Sequence, residues 1–182
     1  MYQAIGIVEL KSIAKGIEAT DAALKSAGVK LVSAHPSCPG KYEIILTGGI
    51  ADVEAAVDHV KGRFDSRLID SCVIGRIDPQ VVTGMFGTQE GAKTGSVGII
   101  ETFSAASLIR AADIAVKTAK VAIYELRLSR GMGGKGLVII TGDVGDVPAS
   151  VEAGAAYAKE QGLFCNSAVI PAPHKELWEQ LS

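Results

Sequence analysis

The sequence predicts an α+β fold made of two tandem copies of one domain, each with the element order β-α-β-β-α-β. Three observations predict it. The sequence repeats itself at a nearly constant spacing, each half alternates short apolar runs with amphipathic stretches, and a segment rich in glycine and polar residues separates the halves. In each copy this order gives an antiparallel sheet with its helices on one face, the split βαβ arrangement.

The internal repeat keeps its register along the whole half. Ala4–Glu9 returns 92 positions later as Ser96–Glu101, and the offset grows to 94 and then 96 only at loop-like places. Further matched pairs are Ser12 with Ser104, Asp21 with Asp113, Lys25 with Lys117, Thr47 with Thr141 and Ser71 with Ser167. We interpret the repeat as a duplication, with domains at residues 1–90 and 95–182 and a linker within Gly87–Gly95.

The first copy begins with Gln3–Leu10, an apolar run too short for a helix and therefore predicted to be a strand. Ser12 is the expected N-cap of a helix that extends to Ala27, and Gly28 suits the position just past its end. The apolar residues that share one face of this helix are Ile13, Ile17 and Leu24.

The remaining elements of the copy follow in the same way. Val29–Ala34 and Tyr42–Thr47 are predicted strands, a helix starts after Asp52, and Ile69–Arg76 is the closing strand. The apolar positions with helical spacing in the second helix are Val53, Val57, Val60 and Phe64. The second copy repeats the series.

Composition excludes several classes of protein. Of 182 residues, 48% are hydrophobic and 21% charged, and the net charge is −2, which is typical of a folded globular protein and argues against a nucleic-acid partner. No run approaches the roughly 18 apolar residues of a membrane span, and the first residues lack the order of a secretory signal. Three cysteines make no disulfide framework, so we expect an intracellular location.

No conventional enzyme motif stands out, so we expect a protein that is not an enzyme. There is no Ser/His/Asp order, Walker loop, HExxH or paired CxxC. Gly131–Lys135 is glycine-rich and basic, but it lacks the strand–loop–helix setting of a phosphate loop and is predicted to be a tight turn.

Most of the cysteines and histidines have an ordinary structural interpretation. Cys72 and Cys165 lie in apolar strands, where cysteine usually packs in the core. His59 is expected on the solvated face of a helix, and His174 is expected to start a terminal helix that buries Trp178 and Leu181.

Cys38 differs from the other two cysteines. It lies in His35–Gly40, a segment with proline on both sides of the cysteine and glycine at its end, which predicts a stiff loop. An exposed thiol is an oxidation liability unless it has a use. Cys38 is therefore either an incidental surface cysteine or a metal or redox site. One thiolate cannot hold a metal cluster, but several copies brought together by symmetry can.

Taken together, five segments resemble the shell-domain family of bacterial microcompartments in its tandem-domain form. They are Ala4–Glu9, Asp21–Ala27, Asp113–Ala119, Thr141–Val144 and Val169–His174. The resemblance covers essentially the whole chain and implies two ferredoxin-like microcompartment domains. It also implies a location in the shell of a microcompartment in the cytoplasm.

The family resemblance implies a flat homotrimer, in which six domains imitate a hexamer, that tiles edge to edge with other shell proteins. The family's edge lysine falls on Lys25 and Lys117. The alternative interpretation of both is an ordinary solvated charge on a helix. Its edge arginine falls on Arg76, but the second copy has Ala172 there, so we expect unequal lateral contacts from the two domains.

The resemblance further implies that the loops between the second and third strands line a central pore. The pore-loop residues are then Ser37, Cys38, Pro39 and Gly40 in the first copy and Gly131, Met132, Gly133 and Gly134 in the second. Threefold symmetry would place three Cys38 thiols around one axis. By the resemblance these hold one [4Fe-4S] cluster per trimer. Either electrons or the cluster itself then crosses the shell, to or from an encapsulated or cytosolic redox protein.

Two other functions remain open at this point. One is a purely structural shell tile or metabolite pore without a cluster, with selectivity set by loop charge and diameter. The other is a small regulatory protein that binds a metabolite, since split βαβ domains often pair for that purpose.

Overall fold

The structure, a computed structural model, describes residues 3–87 and 93–181. Residues 88–92 of the expected linker lie outside the described residues, so the domain boundaries at 90 and 95 stay a prediction. Within the described part of the chain, no helix is long and apolar enough to cross a bilayer.

The two copies show the predicted element order. The first contains β1 (Ala4–Leu10), α1 (Ile13–Ser26), β2 (Lys30–Ser37), β3 (Lys41–Gly48), α2 (Ile50–Phe64) and β4 (Leu68–Gly75), followed by the short α3 (Pro79–Met85). The second contains β5 (Ser96–Thr102), α4 (Ala105–Thr118), β6 (Val121–Arg127), β7 (Gly136–Gly142), α5 (Asp146–Glu160), β8 (Phe164–Ile170) and the terminal α6 (Lys175–Gln180).

Each copy builds a four-stranded antiparallel sheet. The strand orders are β2-β3-β1-β4 and β6-β7-β5-β8, so the first strand of each copy lies between the third and fourth. This confirms the predicted α+β fold with two β-α-β-β-α-β units.

Packing divides the chain into two compact units that do not coincide with the two copies. The first unit holds the first copy up to Ile77 together with Ser104–Ser107 and Ser129–Lys135 from the second copy. The second unit holds the other described residues of the chain. Every contact discussed below lies inside one of these units.

The core of the first copy lies between its sheet and its helices. Val53, Val57, Val60 and Phe64 of α2 are all buried there, as their spacing predicts. They pack on the face of β1 that carries Ala4, Val8 and Leu10.

Helix α1 corrects one expectation. Ser12 caps it as predicted, accepting a hydrogen bond from the Lys15 N–H at 3.4 Å. However, the apolar face that an amphipathic helix would bury is exposed: Ile13, Ile17 and Leu24 are 39%, 57% and 39% accessible. Small residues, including Gly16, Ala19 and Ala23, face the core instead. The reason is close approach, since a Cβ on Gly16 would lie 2.2 Å from the Tyr42 ring on β3.

The other cysteines and histidines are placed mostly as expected. Cys72 is buried and His59 is exposed. Cys165 is only half-buried, with its Sγ 3.5 Å from Glu101 Oε2, so the core role predicted for it is wrong. His174 caps α6, and Trp178 is half-buried with its ring edge against Tyr124 at a centroid distance of 5.8 Å.

We predict opposite effects for alanine at two helical glycines. Gly16→Ala should lower the free energy of unfolding by about 2 kcal/mol, because the gain in helix propensity cannot offset overpacking against Tyr42. Gly62→Ala in α2, where an added Cβ meets nothing within 4 Å, should raise it by about 0.5–1 kcal/mol. Urea denaturation followed by circular dichroism measures both, and equal effects would contradict the packing described for α1.

Candidate functional site

Cys38 opens a three-residue turn between β2 and β3. The loop predicted over His35–Gly40 is shorter than expected, because β2 continues to Ser37, which pairs with Lys41 at the start of β3. Gly40 has a φ of +85° and donates its N–H to the Ser37 carbonyl at 3.0 Å. A left-handed residue at this position favours glycine, so Gly40 allows the tight turn. Cys38 therefore lies in the turn of the β2–β3 hairpin.

The second copy has a longer loop at the equivalent position. The turn expected at Gly131–Lys135 is part of a loop over residues 128–135, between β6 and β7. Gly131, Gly133 and Gly134 all have positive φ, and Lys135 donates its N–H to the Met132 carbonyl at 3.2 Å. Glycine has no Cβ and therefore adopts these left-handed conformations without a steric clash.

The two loops pack on each other within the first unit. The Cys38 N–H donates to the Ser129 carbonyl at 3.1 Å, and Lys41 Nζ donates to the Gly134 carbonyl at 3.2 Å. A Cβ on Gly134 would lie 2.7 Å from the Cys38 carbonyl oxygen, so only glycine allows this approach. The structure therefore brings both sets of predicted pore-loop residues together and anchors the Cys38 backbone on the second loop.

The Cys38 thiol itself is half-buried and free of any disulfide. Among the described residues, no group of three or more His, Cys, Asp or Glu side chains could hold a metal ion. A thiolate is the usual ligand of iron–sulfur clusters, so the donor type fits the expected group. One chain supplies one such donor at this turn, and the fit therefore requires several chains.

Behind the hairpin, a row of ionisable side chains crosses the first sheet. Glu9 on β1 pairs with Glu43 on β3 and with Asp70 on β4, and Glu43 also pairs with His35 on β2. Directly paired residues in a sheet share one face. The order Asp70, Glu9, Glu43 and His35 thus forms one row, which we call the polar row.

Two acids of the polar row are well partnered. Asp70 accepts hydrogen bonds from the Ser104 hydroxyl and, at 2.6 Å, from the Ser107 hydroxyl. Glu9 accepts from Lys41 Nζ at 3.2 Å and from the Ala105 N–H at 3.1 Å. Both carboxylates therefore lie at the N-terminal end of α4, where helix dipole and free N–H groups favour negative charge.

Glu43 is the exception in the polar row. It is fully buried, and neither of its carboxyl oxygens has a hydrogen-bond partner. Burial, reinforced by the neighbouring Glu9 carboxyl, raises the pKa of Glu43 to about 7, against the opposing pull of Arg130 and Lys41. Burial also raises the pKa of Glu9, but Lys41 opposes this directly.

His35 connects Glu43 to the loop of the second copy. Its Nε2 lies 3.8 Å from Glu43 Oε1 and receives a close contact from the Arg130 guanidinium. Burial, with the charge of Arg130, lowers the pKa of His35, so the imidazole is neutral near neutral pH. The histidine expected in a loop is thus part of a strand and of a charged cluster.

Glu9, Glu43 and Asp70 were not among the site residues predicted from the sequence. A signal was present, because Glu9 and Glu43 interrupt otherwise apolar strands at positions that alternate with the core-facing residues. What the sequence alone does not give is the register that places these residues in one row.

The second copy lacks this arrangement. Its equivalent row is Asn166, Glu101, Leu137 and Arg127, paired in the same register. Leucine stands where the first copy has Glu43. The fold therefore accepts an apolar side chain at this position, and the buried acid is a specific property of the first copy.

The predicted edge residues differ between the copies. Lys25 Nζ and Lys117 Nζ each lie 2.7 Å from an aspartate one helical turn earlier. Asp21 is 64% accessible, whereas Asp113 is 2% accessible and also accepts the Asp78 N–H at 2.9 Å. Lys117 is therefore held by a fixed partner and Lys25 by a solvated one. Arg76 is exposed and has a φ of +55°.

The β-α-β-β-α-β domain is duplicated, and one loop of each copy packs on the other. This defines a tandem-domain protein whose copies have diverged at these loops. A family model described as the BMC domain matches residues 4–77 and again residues 96–173. The chain belongs to the BMC domain family, and it is a structural shell protein of the tandem-domain type.

Individual relatives agree with this assignment. The chain is 41% identical, over 100% of its length and 98% of the relative's, to the bacterial microcompartment shell protein PduT of Citrobacter freundii. It is 39% identical over 45% of its length to the shell protein PduA of the same organism, covering 86% of that protein. The crystal structure of a microcompartment protein from Desulfitobacterium hafniense superposes with a TM-score of 0.82 at 44% identity, covering 98% of this chain and 99% of that one.

We predict that replacing Glu43 by the leucine of the second copy changes the pH dependence of stability. The pKa of Glu43 is raised from 4.5 to about 7. Its contribution to the free energy of unfolding is therefore fully present below pH 4.5 and is lost as pH rises through 7. Relative to wild type, Glu43→Leu should gain about 3 kcal/mol in free energy of unfolding between pH 4.5 and 8. Urea denaturation at several pH values measures this gain.

The matched control is Asp58→Leu, which removes an exposed acid from α2. Its stability should run nearly parallel to that of wild type over the same pH range. A parallel profile for Glu43→Leu would show that Glu43 ionises normally.

Proposed function

We propose that three copies of this chain close into a ring in a microcompartment shell, and that the three Cys38 thiolates hold a [4Fe-4S] cluster that carries electrons across the shell. The shell role rests on the family and its relatives. The single observation that supports the cluster is the free Cys38 thiol, placed at a hairpin turn by contacts from both copies.

The ring is supported by the unequal burial of equivalent helix residues. Ile13 and Ile17 of α1 are exposed, whereas their counterparts in α4, Ala105 and Ile109, are fully buried. The same surface is thus covered in one copy and open in the other. A second chain that presents the covering surface to α1 would bury this apolar face in the way that the face of α4 is already buried.

The polar anchors of α4 indicate what would cover α1. Asp70 and Glu9 receive the start of α4 through Ser104 and the Ala105 N–H. Their counterparts in the second copy are Asn166 and Glu101, and the counterpart of Ser104 is Ser12. In the proposed ring, Asn166 and Glu101 of one chain meet the start of α1 in the next chain. Such a head-to-tail contact forms a ring when the rotation closes.

Threefold closure would bring the Cys38 turns together around one axis. Three thiolates can occupy three corners of a cubane cluster, with another ligand at the fourth iron. The cluster would supply one-electron chemistry. The protein's own part is to hold each thiol in position through the Ser129 carbonyl and the close packing of Gly134.

Lateral assembly is proposed to use Lys25, Lys117 and Arg76. The buried Asp113 restrains Lys117, while Lys25 has a solvated partner and greater freedom. This difference supports unequal edges from the two copies, in assemblies with further shell proteins. The shell-protein relatives support a structural protein rather than an enzyme.

We predict that Ile17→Glu weakens the ring. A charge on the exposed face of α1 would be buried without a partner in the contact between chains, so dissociation should increase at least tenfold. Light scattering coupled to size-exclusion chromatography measures the mass over a dilution series.

Val144→Glu, at an exposed apolar residue outside the helices, is the matched control and should leave the mass unchanged. Equal masses for wild type and Ile17→Glu at every concentration, with intact secondary structure, would contradict this role of α1.

We predict that Cys38→Ser abolishes the iron–sulfur signal. After anaerobic purification or reconstitution, the wild-type trimer should contain four irons and show an absorption band that dithionite bleaches, with a paramagnetic signal on reduction. Cys165→Ser removes another half-buried thiol and should keep the full signal. A serine variant at Cys38 with undiminished iron and spectrum would refute the assignment, and an iron-free wild-type trimer would favour a tile or metabolite pore.

A further inference from the structure

Glu43 carries an unusual combination of burial and missing partners. Both of its carboxyl oxygens are enclosed without a hydrogen bond, and the neighbouring His35 Nδ1 and Ser37 Oγ are buried without partners as well. Enclosing a carboxylate in this way is costly. Since the second copy has Leu137 in the same register, the fold does not require the acid. Because the fold does not require this unfavourable burial, we expect the Glu43 carboxyl group to have a function.

Each strand or loop that lies next to Glu43 contributes an ionisable side chain. Glu9 lies beside it on β1, His35 on β2, Lys41 on its own strand and Arg130 on the loop over residues 128–135. Lys41 is already paired with Glu9, and Arg130 contacts His35. The neutral and ionised forms of the Glu43 carboxyl group are thus close in free energy, so a modest change in local charge decides which form is present.

We infer that Glu43 takes up a proton when the group held by Cys38 gains an electron. This inference rests on the proposed function and adds to it a site that links electron transfer to protons. The group held by Cys38 would supply the site for one electron from a one-electron donor, and the Glu43 carboxylate then accepts one proton from a buffer acid. An O–H bond forms at Glu43, the O–H bond of the acid breaks, and the added negative charge is neutralised.

The hairpin places Glu43 near enough to respond. The His35–Glu43 pair lies two residue steps behind the Ser37–Lys41 pair, and Cys38 is one step further on. At roughly 3.3 Å per step, Glu43 is about 10 Å from Cys38 along the hairpin. One electron at that distance changes the proton affinity of a carboxyl group roughly tenfold at an effective dielectric constant of about 20.

His35 provides the route for the proton. Glu43 has no solvent exposure, but the His35 side chain is 23% accessible and its Nε2 lies 3.8 Å from Glu43 Oε1. A neutral imidazole that reaches both solvent and a buried acid is suited to pass protons. The row therefore connects the interior carboxyl group to water through one side chain.

The test is the midpoint potential of the cluster-loaded trimer as a function of pH. Well below pH 7 we expect Glu43 to be protonated in both redox states, so the midpoint potential should not depend on pH there. Above pH 7 it should fall by at least about 59 mV in total, the one-electron equivalent of a tenfold change in proton affinity, and then become flat again. Infrared difference spectra should show a protonated carboxyl band that appears on reduction at pH 8.

Glu43→Gln keeps the shape of the side chain and should remove both the pH dependence and the infrared band. Asp58→Asn removes an exposed acid on α2 and should change neither. A loaded wild-type trimer with a flat potential, or a Glu43→Gln trimer that keeps the wild-type pH dependence, overturns this inference alone. An iron-free wild-type protein overturns the proposed function, and this inference with it.

Discussion

The burial of three carboxyl groups in the polar row of the first sheet is the constraint on which the rest of the structure depends. A buried carboxylate needs compensating charge or hydrogen bonds. Asp70 and Glu9 obtain them from Ser104, Ser107 and the Ala105 N–H, so the start of α4 is fixed on the first sheet. Lys41 compensates Glu9 and at the same time bonds the Gly134 carbonyl, which ties the second loop to the Cys38 hairpin. One row thus positions both the helix and the loop.

Duplication makes this arrangement possible because equivalent positions are free to diverge. Leu137 shows that the register of Glu43 can be filled by an apolar residue, and the longer loop over residues 128–135 supplies Arg130 and the glycines that fit against Cys38. In a ring of identical domains, every loop would carry the same residue. With two copies in one chain, a single cysteine per chain faces a loop of a different kind, which sets three thiols rather than six in the proposed ring.

The sequence predicted the fold well because its strongest signals are local. Apolar runs of strand length, the Ser12 cap and the spacing of Val53 and Val57 depend on near neighbours only, and the structure confirms them. The prediction failed where contact between elements decides. Small residues of α1 meet the core in place of its apolar face, since Tyr42 leaves room only for Gly16, and β2 extends through His35 because of its pairing with β3.

The candidate site was predictable in part for the same reason. Proline and glycine around Cys38 indicate a turn, which is a local property, and the repeat aligns that turn with the glycine-rich loop. The polar row depends on the register of four strands, and its significance depends on which of its members lacks a partner. A carboxyl group in an apolar strand can be seen in the sequence. Whether it is compensated, as Glu9 is, or left without a hydrogen bond, as Glu43 is, follows only from the structure.

The exposed face of α1 and the anchored start of α4 are two consequences of one design. A chain with two equivalent helices and a single set of buried anchors can satisfy one helix internally, and α4 is the one that is satisfied. The equivalent positions in the second copy are Asn166 and Glu101. Each chain therefore keeps one helix, α1, with an exposed apolar face. In the proposed ring, the next chain would cover that face and bring its Asn166 and Glu101 to the start of α1.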